Sequence, residues 1–539
     1  MHATVAHLDD LPVGSLRMVR VGDRRICLVH TSGGLHALDN ACPHEGYGLR
    51  QGVLRDGVLT CAWHNWKFDV TSGESLLGEE NVRTHMVSVA DDGMVTVTLA
   101  EADPAAERPR LMGSLADGIR NDYVGQVARD VIRLLAIDAN PGELVWTALA
   151  HGVPRSEFGW GHGVASATDC LAMAARLDGD ARAMPIVQAI AGLSEEARDR
   201  PVQLLPDPVP TGANSRADFL ALVEAERLPD AQALVRGAIQ HGANAAELQG
   251  WFTGAVSAHL LSYGHGAIYA QKAFQLLEHI GWERADTVLP HLVPAIVYAT
   301  REDTLPYMRP FMKTMAGLDL GALADAGAQP GWDGGGVLLG AMLESHDRRA
   351  ALVAAADALR SGAAVDTVLD VVVTAVSERM LRYDHRGEFD LSDEFGWHDL
   401  THGITYANAA RGHHAANPGP DTVRQVLFCV FLAHWTGRHE WHTTVGEREE
   451  IDLGTTNVLE AGLLLQRESL LDHTSSFIVH AHGVKTTVAA TEESLRSRNM
   501  IPLEAAARFL RSPRMERFVA RSVQQSLDFL SGRAPRDAD

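Results

Sequence analysis

Between residues 14 and 99 apolar and polar positions alternate in short runs: "LRMVRVGDRRICLVHTSGGLHAL" (16–38), "GVLRDGVLTCAWHNWKFDV" (52–70) and "MVSVADDGMVTVTL" (86–99). A period of two sends successive side chains to opposite faces of a strand. Gly33-Gly34, Asp56-Gly57 and Asp92-Gly93 interrupt the runs with hairpin chemistry. The pattern predicts a small antiparallel sandwich. A charged, proline-containing stretch, "EADPAAERPR" (101–110), reads as a linker, and the period changes after it. "YVGQVARDVIRLLAI", "RADFLALVEAERL" and "TVRQVLFCVFLAHW" space their apolar residues by three and four, the signature of one helix face. Gly and Pro clusters at 206–214, 328–336 and 417–420 punctuate these segments, and no clean strand alternation appears. The expectation is a multidomain chain: an all-β domain at 1–103, a linker at 104–114 and a large all-α, repeat-containing domain at 115–539.

Composition narrows the class. Of 539 residues 46% are hydrophobic and 22% charged, enough apolar material for a sizeable core. The net charge of −22 leaves no basic stripe to meet phosphates, which argues against a nucleic-acid partner. No uncharged apolar run is long enough to span a membrane, and the start lacks the basic and apolar regions of a signal peptide. A cytoplasmic protein with no membrane partner is expected. Five cysteines are too few for a disulfide framework; Cys27, Cys170 and Cys429 fall in apolar runs and read as inert core. The 26 histidines are the unusual number.

Two loops of the β region carry metal chemistry: "CPHEGYGL" (42–49) and "CAWHNWKFD" (61–69). They supply Cys42 and His44, then Cys61 and His64. Two thiolates and two imidazoles suit tetrahedral zinc as well as an iron–sulfur cluster. The paired loops, with Pro43, Gly46, Leu49, Trp63, Trp66, Phe68, Asp69 and Gly73, resemble the Rieske family. That resemblance implies a [2Fe–2S] cluster with both cysteines on one iron and both histidines on the other. Neither loop has the extra cysteine of respiratory Rieske proteins, so the likeness is to the ferredoxin and oxygenase branch. Trp63 and Trp66 read as loop packing or as part of a docking surface.

The helical region echoes itself. "AVSAHLLSYGH" (255–265) aligns with "AVSERMLRYDH" (375–385), "AIQHGA" (238–243) with "ALRSGA" (358–363), and "ALAHGV" (148–153) is a weaker copy. A shorter motif recurs at His162, His265, His402 and His482: His-Gly, an apolar residue, any residue, then Ser, Tyr, Tyr or Thr. Glycine inside a helix costs about 1 kcal/mol relative to alanine, so four copies suggest a common purpose. Two readings stay open: metal ligands, or His-Gly pairs capping helix C-termini. His151-Gly and His241-Gly lack the downstream pattern and read as caps. Glu157, Glu394 and Asp399 are candidate carboxylate partners for the histidines. Only four of the 47 basic residues are lysine, yet one, Lys485, stands three residues after His482. A neutral lysine takes up CO₂ to become an anionic carbamate, which arginine cannot; the alternative is a snorkelling surface lysine.

This His-Gly-rich region resembles the questin oxidase-like proteins, a family that includes a fungal non-haem iron dioxygenase cleaving an anthraquinone ring. The resemblance implies a mononuclear Fe(II) held by four histidines and a carboxylated lysine, here His162, His265, His402, His482 and Lys485, with His398 or His480 as substitutes. The Rieske domain departs from that family's usual architecture and leaves mono- and dioxygenation both open. An ordinary ring-hydroxylating site needs a second histidine at position 407, which is alanine. An HD-type metal enzyme built on His398 and His402 is a rival, as is an electron-transfer or redox module with a non-catalytic helical scaffold. The histidines at 413, 414, 434 and 439, with Trp397, Trp435 and Trp441, read mainly as packed or exposed helix residues, with an aromatic pocket as the alternative. The expected function is a Rieske-type iron oxygenase acting with O₂ on a polycyclic, polyketide-like aromatic substrate. A ferredoxin or flavin-dependent reductase would supply electrons.

Overall fold

The computed structural model describes residues 1–533 except 79, 102, 157, 392–394, 443–444 and 516–517. It separates into two compact units, one of residues 1–118 with 123–137, the other of 119–122 with 138–539.

The first unit holds ten strands: β1 (His2–His7), β2 (Leu16–Val21), β3 (Arg24–Thr31), β4 (Gly34–Asp39), β5 (Val53–Arg55), β6 (Val58–Thr60), β7 (Lys67–Asp69), β8 (Ser75–Leu77), β9 (Thr84–Val89) and β10 (Met94–Thr98). They form an antiparallel sheet of order β1-β10-β9-β4-β3-β2 and a smaller one of order β5-β6-β7-β8. The hairpin signals act as expected. Asp56 and Gly57 take φ of 49° and 75°, the left-handed pair that lets Arg55 face Val58 across a two-residue turn. Cys27, Val29 and Leu38 of the large sheet pack with Leu59 and Phe68 of the small one and with Val70 just after it. Cys42 and Cys61 are part of this apolar cluster.

The stretch expected to be a linker is helical, from Pro104 to Arg120. Proline is harmless at the first helical position, and Asp103 caps the end by accepting the Ala105 N–H. A second helix, Val124–Leu135, completes this unit.

Among its described residues the second unit consists of helices joined by turns and irregular segments, with one isolated bridge between Leu261 and Arg301, as its periodicity predicts. The echoing segments share one arrangement of helix, short 3₁₀ turn and helix. It runs Pro141–Gly152, Val153–Arg155, His162–Ala174; then Ala245–Ala258, Ser262–Gly264, His265–Ile280; then Val365–Arg382, His385–Phe389, Trp397–Ala416. Helix Val458–Ser469 precedes a fourth His-Gly helix, Phe477–Ser497. The Ser476 hydroxyl caps that helix at the Val479 N–H, and Arg498 ends it in the left-handed region. Trp397–Ala416 and Phe477–Ser497 bury residues around most of their circumference, so both are interior elements. Among the described residues no helix is long and apolar enough to cross a membrane.

Candidate metal centres

In the β unit the turn after Cys42 closes through its own backbone: the Gly46 N–H donates to the Cys42 carbonyl and the Cys42 N–H to that of Tyr47. The second loop repeats the device with the Cys61 N–H donating to Trp66. These turns bring the four residues together in two pairs. Cys42 and Cys61 are buried and lie against each other, and burial pushes the Cys42 thiol up to about 12. His44 and His64 meet through Nδ1 at 3.0 Å, with His64 exposed. Trp66 stacks on His44 at 4.9 Å, and Trp63, 55% exposed, stacks on Tyr47 at 4.3 Å. Trp66 therefore packs the loops, while Trp63 also presents a face outward. Gly78 has φ of 131°, and a Cβ there would collide with the Trp66 ring. A buried thiol pair beside an outward imidazole pair is the donor set that a cluster with unlike irons requires.

In the helical unit the four patterned histidines converge. His-Gly helices 162–174, 265–280, 397–416 and 477–497 form a closed ring in which each touches the next. The Nε2 atoms follow the same order: His162 to His265 at 3.3 Å, His265 to His402 at 3.1 Å, and His402 to His482 at 3.3 Å. The His162 and His482 rings close the circle at 4.6 Å between centroids. His162 and His265 open their helices and His402 and His482 lie within theirs, so none of the four is a C-terminal cap. His241 does cap a helix, with Gly242 at φ of 90°, and His151 lies in a last turn.

The glycines of the motif carry the packing. A Cβ at Gly403 would come within 2.6 Å of Val376, at Gly266 within 2.8 Å of Leu261, and at Gly483 within 3.0 Å of Leu510. At Gly163 it would meet Glu196 at 2.5 Å. Each glycine lets a neighbouring residue press onto the helix beside its inward histidine. Ahead of His265, Ser262 and Tyr263 both take positive φ, a strained turn held by the Ser262 N–H donating to Thr300.

The ring nitrogens are prepared as lone pairs. His265 Nδ1 donates to the Ser262 carbonyl at 2.6 Å and His482 Nδ1 to that of Ile478 at 2.9 Å. In a neutral ring Nε2 is then unprotonated. Burial, with the Lys485 charge second, brings His265 down to about 3. Burial likewise holds His162, His402 and His482 far below the usual imidazole range. The unprotonated Nε2 atoms of His265 and His482 each face a further imidazole Nε2 at 3.1–3.3 Å. The donor set therefore fits a divalent transition metal that favours imidazole.

Around this ring lie buried charges. Lys485 is 2% exposed, and its Nζ has no hydrogen-bond partner among the described residues. Burial brings that amine down to about 7, against the opposing charges of Asp169 and Glu196. It is not a surface lysine. Glu196, which no sequence signal marked, accepts the Gly163 N–H at 3.0 Å, and burial raises it to about 7. Lys272 and Asp169 form a buried pair at 2.6 Å. His398 stacks on His482 at 4.3 Å and joins the ring from the same helix as His402. His480 makes none of these nitrogen contacts, and burial holds its imidazole below the usual range.

The candidate carboxylate partners fare differently. Asp399 caps its own helix at the Gly396 N–H and pairs with Arg438 at 2.9 Å, so it serves the helix terminus and not a histidine. Glu157 and Glu394 lie outside the described residues. The other histidine clusters are packing: His413 bonds Thr253 and the Ala267 carbonyl, His414 bonds Thr422, His434 bonds Ser345, and His439 stacks on Phe395. Trp397 packs on Tyr383, while Trp435 and Trp441 meet at 5.9 Å.

The depressed histidines give the metal-free chain a defined acid sensitivity. His398 and His413 are brought to about 4 and His265 to about 3, all by burial, against an ordinary 6.5. Below pH 6.5 the unfolded chain binds protons that the folded one does not. Stability present above that pH is therefore lost as pH falls toward the folded values, at about 1.4 kcal/mol per pH unit for each such ring. Glu196, raised by burial to about 7, and Asp169 and Asp130, raised to about 6, act with the opposite sign over part of this window. Calorimetry of the chelator-treated protein should therefore show a melting temperature that falls less with acid in His413→Gln than in the parent; equal falls would contradict the burial of a neutral ring there.

The comparisons bear on the β unit. Residues 2–88 match the Rieske [2Fe-2S] domain. The ferredoxin component of the naphthalene 1,2-dioxygenase/salicylate 5-hydroxylase systems of Ralstonia sp is 31% identical over 86 residues, covering 16% of this chain and 83% of that protein. The chain belongs to the Rieske [2Fe–2S] family. Its Rieske domain supports a [2Fe–2S] cluster, for which Cys42, His44, Cys61 and His64 are the donors at hand. Apoptosis-inducing factor 3 of Mus musculus is 32% identical over 114 residues, 21% of this chain and 19% of that relative, so the chain spans about a fifth of that relative's length. The ferredoxin of carbazole 1,9a-dioxygenase from Nocardioides aromaticivorans is 26% identical, with a TM-score of 0.18, over 19% of this chain and 99% of that one.

Proposed function

We propose that this chain is a Rieske-type non-haem iron oxygenase whose helical domain oxidises a polycyclic aromatic substrate, polyketide-like in character, by hydroxylation or ring cleavage. The observation that carries the reading is a row of four facing imidazole nitrogens, whose end rings meet at 4.6 Å between centroids, in a chain that also has a Rieske domain. When bound, the cluster supplies single electrons, and an iron held by imidazoles supplies dioxygen activation. A ferredoxin or flavin-dependent reductase is the proposed electron donor.

The chain's own residues then have distinct tasks. His162, His265, His402 and His482 hold the metal, with Nδ1 protons fixed on backbone carbonyls at His265 and His482 so that Nε2 stays free to bind. His398, stacked on His482, keeps that ring in place. Lys485 carries the fifth donor: its amine, partly neutral at neutral pH, adds to the carbon of CO₂ and releases a proton, leaving an anionic carbamate. His402, His482 and Lys485 are buried, while His162, His265 and His398 are part-buried on the side by which a substrate could approach.

An anaerobic count of iron and acid-labile sulfide tests the reading directly. About three irons to two sulfides per chain is expected, with bicarbonate raising the iron content. Two irons to two sulfides would instead support an electron carrier whose helical domain is a scaffold, a reading favoured by the ferredoxin component among its relatives.

A further inference from the structure

The Rieske unit does not end with its sheets. The first helix as far as Gly118 and the whole of Val124–Leu135 belong to the same compact unit and bring three arginines, Arg110, Arg129 and Arg133, to one carboxylate. That carboxylate, Glu80, is 7% exposed and follows Gly78, the glycine seated against Trp66. Arg133 pairs with Glu80 directly, while Arg129 and Arg110 lie 3.9 and 4.0 Å away. Arg129 and Arg133 are four apart and share a helix face.

Only one of these arginines reaches the cluster loop. The Arg129 Nη1–H donates to the backbone carbonyl of His44, and its positive charge also acts on Cys42. A guanidinium never loses its charge, so this contact holds a fixed cation beside one residue of each donor pair. Adding an electron to a cluster makes it more negative, and a nearby fixed cation favours that state. Glu80 opposes the effect from the far side of Arg129 and anchors the helical arm.

We infer that the arm formed by residues 104–135 is a redox-tuning element, in which Arg129, a positioning residue, raises the reduction potential of the [2Fe–2S] cluster through the His44 carbonyl. The inference rests on the Rieske domain and not on the oxygenase reading. It assigns the arm a role that the β-sheet unit alone would lack.

Redox titration of the full-length protein, followed by the electron paramagnetic resonance of the reduced cluster, tests it. Arg129→Gln should shift the potential downward with iron and sulfide of the cluster retained, and Arg129→Lys should recover most of the shift. Glu80→Gln, which removes the opposing anion, should shift it upward. Arg133→Gln, away from His44, should move it less than Arg129→Gln. An unchanged potential in Arg129→Gln, equal shifts in the Gln and Lys variants, or a downward shift in Glu80→Gln would each overturn the assignment. If Arg129→Gln fails to assemble a cluster, the sign of the Glu80→Gln shift decides.

Discussion

A His402→Ala chain is expected to emerge with its [2Fe–2S] cluster intact and its mononuclear metal gone. His402 is the middle of the ring, with Nε2 at 3.1 Å from His265 and 3.3 Å from His482. Removing it takes away one donor and breaks the order in which the others face each other. Losing a partner that merely orients a ligand costs 10–100-fold in metal affinity, so losing a donor should cost more than about 100-fold. Elemental analysis with acid-labile sulfide as the internal standard gives the answer: iron should fall by about one per chain while sulfide stays constant. His480→Ala is the matched control. At about 100° per residue His480 lies some 200° round the helix from His482, and its metal content should be unchanged. Full metal retention in His402→Ala would remove the ring from consideration as a metal site.

The second large effect separates stability from metal binding at Lys485. In the metal-free chain this amine is buried without a hydrogen-bond partner among the described residues, and its charge depresses the histidines around it. An unsatisfied buried polar group costs roughly 1–3 kcal/mol. Lys485→Met keeps the volume and removes that cost, so the metal-free variant should melt at a higher temperature than the metal-free parent. The same substitution removes the carbamate, so iron loading should drop and lose its dependence on bicarbonate. Lys485→Arg should fail on both counts, because a guanidinium neither neutralises nor takes up CO₂. A Lys485→Met protein that binds iron as the parent does would refute the carbamate while leaving the four histidines standing.

These two experiments address residues of unequal legibility. The fold class could be read along the chain, because alternation and three-to-four spacing are local properties that hydrophobic burial enforces. The cluster loops were equally visible: each is a short turn that holds one Cys and one His within four residues, although only the second, between β6 and β7, closes a hairpin. The stretch at 101–110 misled for a local reason. Its proline and charges are common in linkers, but proline at a first helical position after an aspartate cap opens a helix.

The His-Gly motif marked which histidines to watch but not why glycine follows them. The answer lies in Val376, Leu510 and Glu196, from distant parts of the chain, and in Leu261 of the preceding turn, each pressed where a Cβ would be. Asp399 was an attractive partner by proximity, yet a carboxylate in a first turn is captured by the free N–H groups of its own helix. Glu196 and Arg129 carried no mark at all. Each lies in an ordinary charged helix, and what sets it apart is only what faces it.

By itself, then, the sequence determined a β unit with two thiols and two imidazoles in two short loops, and a helical unit seeded with four patterned His-Gly copies and one unusual lysine. Tertiary structure decided the rest. It closed four helices into a ring and turned four ring nitrogens, separated by up to hundreds of residues, to within hydrogen-bond distance of their neighbours. It chose His482 over His480, buried Lys485 among carboxylates, and set Arg129 against the His44 carbonyl. The physical reason is that hydrophobic periodicity fixes which face of an element turns inward, whereas the groups it meets there depend on how distant elements pack.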